Sequence, residues 1–147
     1  MSSKEEITVD CPKCEHRQEV MIWRSINVSL DSTLENDLFD DRINTFICSS
    51  CGHEGWIDIP LLYHDMNRQY AVIYYPFEFI DDHDFLVQFT AEGKLRMDVS
   101  PEMTKWTPGE NYLEQSHVVF DMDEMKRYIC FREKLHVSAS TNQTEPK

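Results

Sequence analysis

The chain lacks any apolar run near the ~20 residues that a transmembrane helix requires, so no membrane span is expected. It also lacks an N-terminal apolar h-region, which argues against export and against a disulfide framework; the expected compartment is the cytoplasm. Positive charge is scarce: 14 Lys and Arg stand against 27 Asp and Glu, for a net charge of −13. A field of that sign repels phosphate backbones, whose non-specific binding depends on cationic neutralisation, so nucleic acid is a disfavoured partner. The densest basic cluster, Lys126, Arg127, Arg132 and Lys134, is interleaved with Glu124 and Glu133 and reads as a solvated helix face. No recognised catalytic spacing motif is present, and nothing repeats beyond one short cysteine pattern.

That pattern organises the chain. Cys11-Pro12-Lys13-Cys14 is followed, after 33 residues, by Cys48-Ser49-Ser50-Cys51. Each C-x-x-C step can fold into a tight knuckle with both sulfurs turned to one side, so that four thiolates close a tetrahedron around one Zn²⁺. Two alternatives compete with zinc. Disulfides are disfavoured where thiols stay reduced, and a redox dithiol is ordinarily one motif opening a helix, whereas both motifs here are flanked by strand-like sequence. The expected metal ligands are Cys11, Cys14, Cys48 and Cys51, with iron the alternative ion because a rubredoxin-like site uses the same ligands. A closed four-thiolate set holds a fold together, whereas catalytic zinc keeps a position open for water. The ion therefore reads as structural.

With 147 residues, 41% of them hydrophobic and 12% aromatic, the chain can build one domain with a real core. It is expected over 7–136, between a frayed segment 1–6 and a disordered polar tail 137–147. Ile7 to Val9 leads into the first knuckle and Gln18 to Trp23 returns from it as a strand. Ile26 to Leu30 alternates and can extend the sheet. Ser32 with Glu35 reads as a capping box for a short helix with Leu34 and Leu38 or Phe39 on one face, stopping near Asp41. Asn44 to Cys48 carries the second hook as a strand. Gly52 suits the left-handed conformation past that hook, and its counterpart Glu15 would adopt it at a cost of about 1–2 kcal/mol.

Trp56 to Leu62 and Tyr70 to Tyr75 read as a hairpin; Phe85 to Thr90 and Leu95 to Val99 read as a second, turning at Glu92 and Gly93. Ser100 to Gly109 is expected as loop, and Val118 to Phe120 as a last strand. Asp121 with Glu124 then caps a helix running to about Leu135. The expected fold class is α+β: zinc-ribbon-like knuckles on an antiparallel β-sheet, with a short helix inserted between the knuckles and a C-terminal helix.

Cys11, Pro12 and Cys14, the partner knuckle of Cys48, Cys51 and Gly52, and the blocks Ser25 to Val28, Asn44 to Phe46, Leu61 to Met66 and Val118 to Ile129 together resemble the CpXC family. These are small prokaryotic proteins named for an N-terminal Cys-Pro-x-Cys. The resemblance spans about residues 7–136. It implies a metal-binding role for the cysteines and points to no substrate or reaction. Glu15 stands where a glycine is usual, and Ser49 where a second proline is often found.

The leading functional reading is an interaction or regulatory module with an unknown protein partner. Tyr63, Tyr70, Tyr74, Tyr75, Phe77 and Phe79 would anchor such an interface if exposed, and are core if not. One alternative is a metal-dependent enzyme using His64 and Asp65 with Asp82, His83 and Asp84, although acidic turns are commonplace because Asp bonds its own local backbone. Another is a nucleic-acid-associated zinc ribbon. His16 and His53 read as exposed knuckle residues, or as substitute ligands or hydrogen-bond partners of the sulfurs. Cys130 reads as a small buried hydrophobe.

Overall fold

In the computed structural model, which describes residues 2–94 and 112–144, the chain runs β1 (Ser3–Asp10), β2 (Arg17–Asn27), α1 (Thr33–Phe39), β3 (Thr45–Ile47), β4 (Glu54–Trp56), β5 (Leu61–Asp65) and β6 (Tyr70–Tyr74). A 3-10 turn at Phe77–Asp81 and α2 (His83–Leu86) follow, then a second 3-10 turn at Tyr112–Gln115, β7 (His117–Val119) and α3 (Met122–Thr144). Five strands form one sheet in the order β1-β2-β5-β6-β7, and β3 with β4 forms a separate hairpin.

The continuous apolar run of β6 is buried at every position, as expected of a strand covered on both faces. On one face Leu61, Tyr63, Tyr70, Val72, Tyr74 and Val119 pack against α1 and α3 through Leu34, Leu38, Met125 and Ile129. On the other, Ile73 and Tyr75 pack with Phe85, Phe79 and Phe89. The four hairpin tyrosines are thus core, from 0% to 7% exposed, and only Phe77 of the expected anchors stands out, at 63%. The hairpin does not present an aromatic interface.

The sheet is mixed, which corrects the antiparallel expectation: β2 runs parallel to β5, and β6 parallel to β7. A parallel neighbour needs a long crossover, and the insertion carrying α1, β3 and β4 supplies one between β2 and β5. The first expected hairpin exists in shorter form, with Leu61–Asp65 paired to Tyr70–Tyr74, because Glu54–Trp56 pairs instead with β3.

Phe85 to Thr90 is not a strand. Asp82 accepts a hydrogen bond from the Asp84 N–H at 3.0 Å and starts α2, so the acidic stretch is a helix cap. Phe85 and Phe89, four residues apart, then meet at 5.1 Å between ring centroids and both contact Tyr75. The expected return strand Leu95 to Val99 and the loop Ser100 to Gly109 lie outside the described residues.

Other differences are local. Ser32 is helical in conformation and makes no side-chain cap, so the capping box is not formed, whereas Asp121 does cap α3, accepting from Asp123 N–H at 2.7 Å and Glu124 N–H at 3.3 Å. Helix α3 continues to Thr144 through the stretch expected as a disordered tail, and Ser3 to Glu6 is paired to β2 where fraying was expected. Cys130 is exposed: it lies about 100° around the helix from Ile129, which is fully buried. No helix among the described residues is long and apolar enough to cross a membrane.

Candidate metal centre

Each hook closes a hairpin. At the tip of β1–β2, Cys11 N–H donates to His16 O at 2.8 Å and Glu15 N–H to Cys11 O at 2.9 Å. At the tip of β3–β4, Cys48 N–H donates to His53 O at 2.8 Å and Gly52 N–H to Cys48 O at 2.9 Å. The two knuckles have the same hydrogen bonds, and Glu15 and Gly52 take the same left-handed conformation, with φ of 64° and 77°. Glu15 therefore does occupy the conformation that a glycine would adopt more easily.

The knuckles face one another so that the sulfurs of Cys11, Cys14, Cys48 and Cys51 all lie within 4.8 Å. Cys11 and Cys51 are 3.7 Å apart and Cys14 and Cys48 3.6 Å. A tetrahedral centre with metal–sulfur bonds of about 2.3 Å has edges of about 3.8 Å, so the spacing fits one ion. Cys11 and Cys48 are buried while Cys14 and Cys51 are exposed, which places the cluster at the rim of a small core of Phe46 with Val9, Val20 and Ile57.

Two of the thiols, Cys48 and Cys51, are shifted in opposite directions. Backbone N–H groups of Cys51 and Ser50, with the thiols of Cys14 and Cys11, hold Cys48 down to about 6 against partial desolvation. At Cys51 the His53 N–H lowers the pKa, but desolvation and the three neighbouring sulfurs outweigh it and push the thiol up to about 11. Four adjacent thiolates repel each other, and a bound dication is what makes their joint ionisation favourable.

Two amide side chains fix how the hooks approach. Gln18 on β2 donates to Ile47 O at 3.1 Å and accepts from Ser49 N–H at 2.9 Å. Asn44, before β3, accepts from Trp23 N–H at 2.7 Å and donates to Trp23 O at 3.1 Å. Each amide works like a peptide group of a neighbouring strand, joining β2 to the segment that carries the second hook. Asn44 has φ of 56°, a conformation Asn tolerates better than most residues. Sequence reading passed over both amides as bridges; the left-handed preference of Asn ahead of a cysteine strand was the available signal.

The family profile described as CpXC protein matches residues 9–140. The chain belongs to the CpXC protein family. Comparison with curated proteins and with solved structures returned no match.

The remaining candidate residues of this CpXC protein are placed elsewhere. Burial pushes His64 down to about 4, so its imidazole is neutral at pH 7, and its Nδ1 is 2.8 Å from the Tyr112 hydroxyl. Asp65 is committed to its turn, accepting from Ser29 Oγ at 2.8 Å, Asn67 N–H at 3.0 Å and Arg68 N–H at 3.1 Å. Asp82, His83 and Asp84 are exposed at the start of α2. Among the described residues, the four cysteines are the one group of three or more Cys, His, Asp or Glu side chains gathered closely enough to hold an ion. His16 Nε2 lies 3.1 Å from Ser49 Oγ and ties knuckle to knuckle. The basic cluster of α3 is also divided: Lys126 pairs with Asp41, and Arg132 lies over the Tyr70 ring at 4.5 Å.

Proposed function

We propose that Cys11, Cys14, Cys48 and Cys51 hold one Zn²⁺ as a closed structural centre, and that this CpXC protein acts through protein contacts made by the module the ion fastens. What carries the reading is the convergence of four sulfurs from two matching knuckles far apart in sequence. With all four positions taken by thiolates, the centre offers no vacancy for a reactant. The fastener is placed where local structure is weakest: β3 and β4 have three residues each, and a two-stranded hairpin of that size is not stable alone.

That hairpin exposes Ile47 and Trp56, 64% and 48%, the latter with its ring 6.0 Å from that of Tyr74, and these replace the buried tyrosines as the contact residues of the proposed module. Two measurements test the reading. Hydrogen exchange before and after chelation should show amides of Thr45–Trp56 losing protection while β5 and β6 keep theirs; unchanged protection in the hairpin contradicts a fastening role. A stoichiometric protein partner from the native cell should be lost on Trp56→Ala with zinc retained; binding unaffected by that change and by Ile47→Glu removes the hairpin face from the proposal.

A further inference from the structure

Despite the −13 charge of this chain, two arginines and a histidine converge at one surface cavity. Arg68, from the turn between β5 and β6, and Arg132 and His136, one helical turn apart on α3, line a cavity of about 230 Å³ together with Tyr70 and Leu135. Arg132 belongs to the basic run that reads in sequence as a solvated helix face; in the fold it turns inward over the Tyr70 ring. We propose that this cavity binds a small oxyanion, a phosphate or carboxylate group, independently of the metal centre.

Three observations carry the proposal. An Arg has five N–H donors in a fork that matches oxyanions, and these two are lightly used. Arg132 Nη1 donates to the Tyr128 hydroxyl at 3.2 Å, while Arg68 stands 3.8 Å from Asp65 and 3.5 Å from Glu133, longer than a charge-assisted hydrogen bond. A ligand oxygen at normal distance would take up donors that neither carboxylate reaches. Secondly, Tyr70 lines the cavity with Arg132 stacked on its ring at 4.5 Å, which holds that guanidinium in place, while the Tyr70 hydroxyl lies buried beside that of Tyr63. Thirdly, burial and a hydrogen bond with Glu133 push Glu35 up to about 7, which reduces the acidic charge near the cavity around neutrality. Leu135 and the Tyr70 ring supply apolar walls, which suits a compact anion on an organic body as well as free phosphate.

The test is calorimetric titration of the full zinc-loaded chain with inorganic phosphate and, separately, with citrate, at constant ionic strength. Saturable binding of either is expected; tighter phosphate binding identifies a phosphate ligand, and tighter citrate binding a carboxylate. Arg68→Gln and Arg132→Gln should each weaken it about tenfold or more, the scale of one lost charge-assisted hydrogen bond. Arg127→Gln and Lys134→Gln, exposed on the same helix, should leave it within about twofold. Arg68→Gln guards against Arg132→Gln disturbing the fold. Absence of saturable binding of both anions, or equal losses in the Arg127 and Lys134 variants, overturns the proposal.

Discussion

At the scale of single residues, the four-cysteine cluster depends on side chains outside it. Asn44 is 5% exposed and satisfies both backbone groups of Trp23, so Asn44→Ala strands a donor and an acceptor and places Ala at positive φ. The expected loss is about 2–3 kcal/mol by denaturant unfolding of the zinc-loaded protein, with zinc affinity falling in parallel; a change below ~0.5 kcal/mol contradicts the bridging role. Glu15 makes the opposite case. Its left-handed conformation is strained while its side chain is exposed, so Glu15→Gly should stabilise by about 0.5–1 kcal/mol after allowing for the greater freedom of an unfolded glycine. The same unfolding measurement reads it, and destabilisation would show that the carboxylate has a role in the knuckle. Both residues illustrate what sequence carries. The cysteine cluster is legible because four identical side chains at fixed spacing leave few chemical options, while Gln18 and Asn44 are ordinary amides until folding brings a strand beside them.

At the scale of elements, α1 and α3 meet through Glu35 and Glu133. Burial, then the hydrogen bond and repulsion with Glu133, raise Glu35 to about 7, with Arg68 acting the other way. A carboxyl with a raised folded pKa binds its proton more tightly in the native state, so its contribution to stability is present at low pH and is lost as pH rises from the ordinary carboxylate range through about 7. Glu35→Gln removes that titration. The stability of the variant relative to the parent, both zinc-loaded, should therefore increase between pH 5 and pH 8, and a difference that is flat or falls with pH contradicts the raised Glu35 carboxyl. His64 titrates with the opposite sign: its pKa is lowered to about 4 by burial, so stability from its neutral form is lost as pH falls below ~6.5, and the parent's own profile combines the two. Element identity was legible where one signal acted alone. Asp121 caps α3 as read, and β6 is a strand as its apolar run suggests. It failed where Phe85, Leu86 and Phe89 were open to either period, and the helix won because Asp82 caps it and Tyr75 receives the ring pair.

At the scale of the whole molecule, the sheet and its helices form the larger core, and the four-cysteine cluster lies beside a smaller one. Strand direction could not be read locally, since parallel pairing of β2 with β5 depends on where a long insertion returns. The insertion itself was legible as the distance between hooks, and its purpose becomes clear only in three dimensions: it carries α1 to the main core and β3–β4 to the tip of β1–β2. The central claim is that one ion joins these two hairpins. Metal analysis of the purified, reduced full chain, alongside Cys48→Ser and Cys14→Ser, tests it most directly. One equivalent of zinc per chain is expected, falling in both variants together with protection of the β3–β4 amides, whereas a metal-free chain that keeps the same fold in the presence of chelator would contradict it.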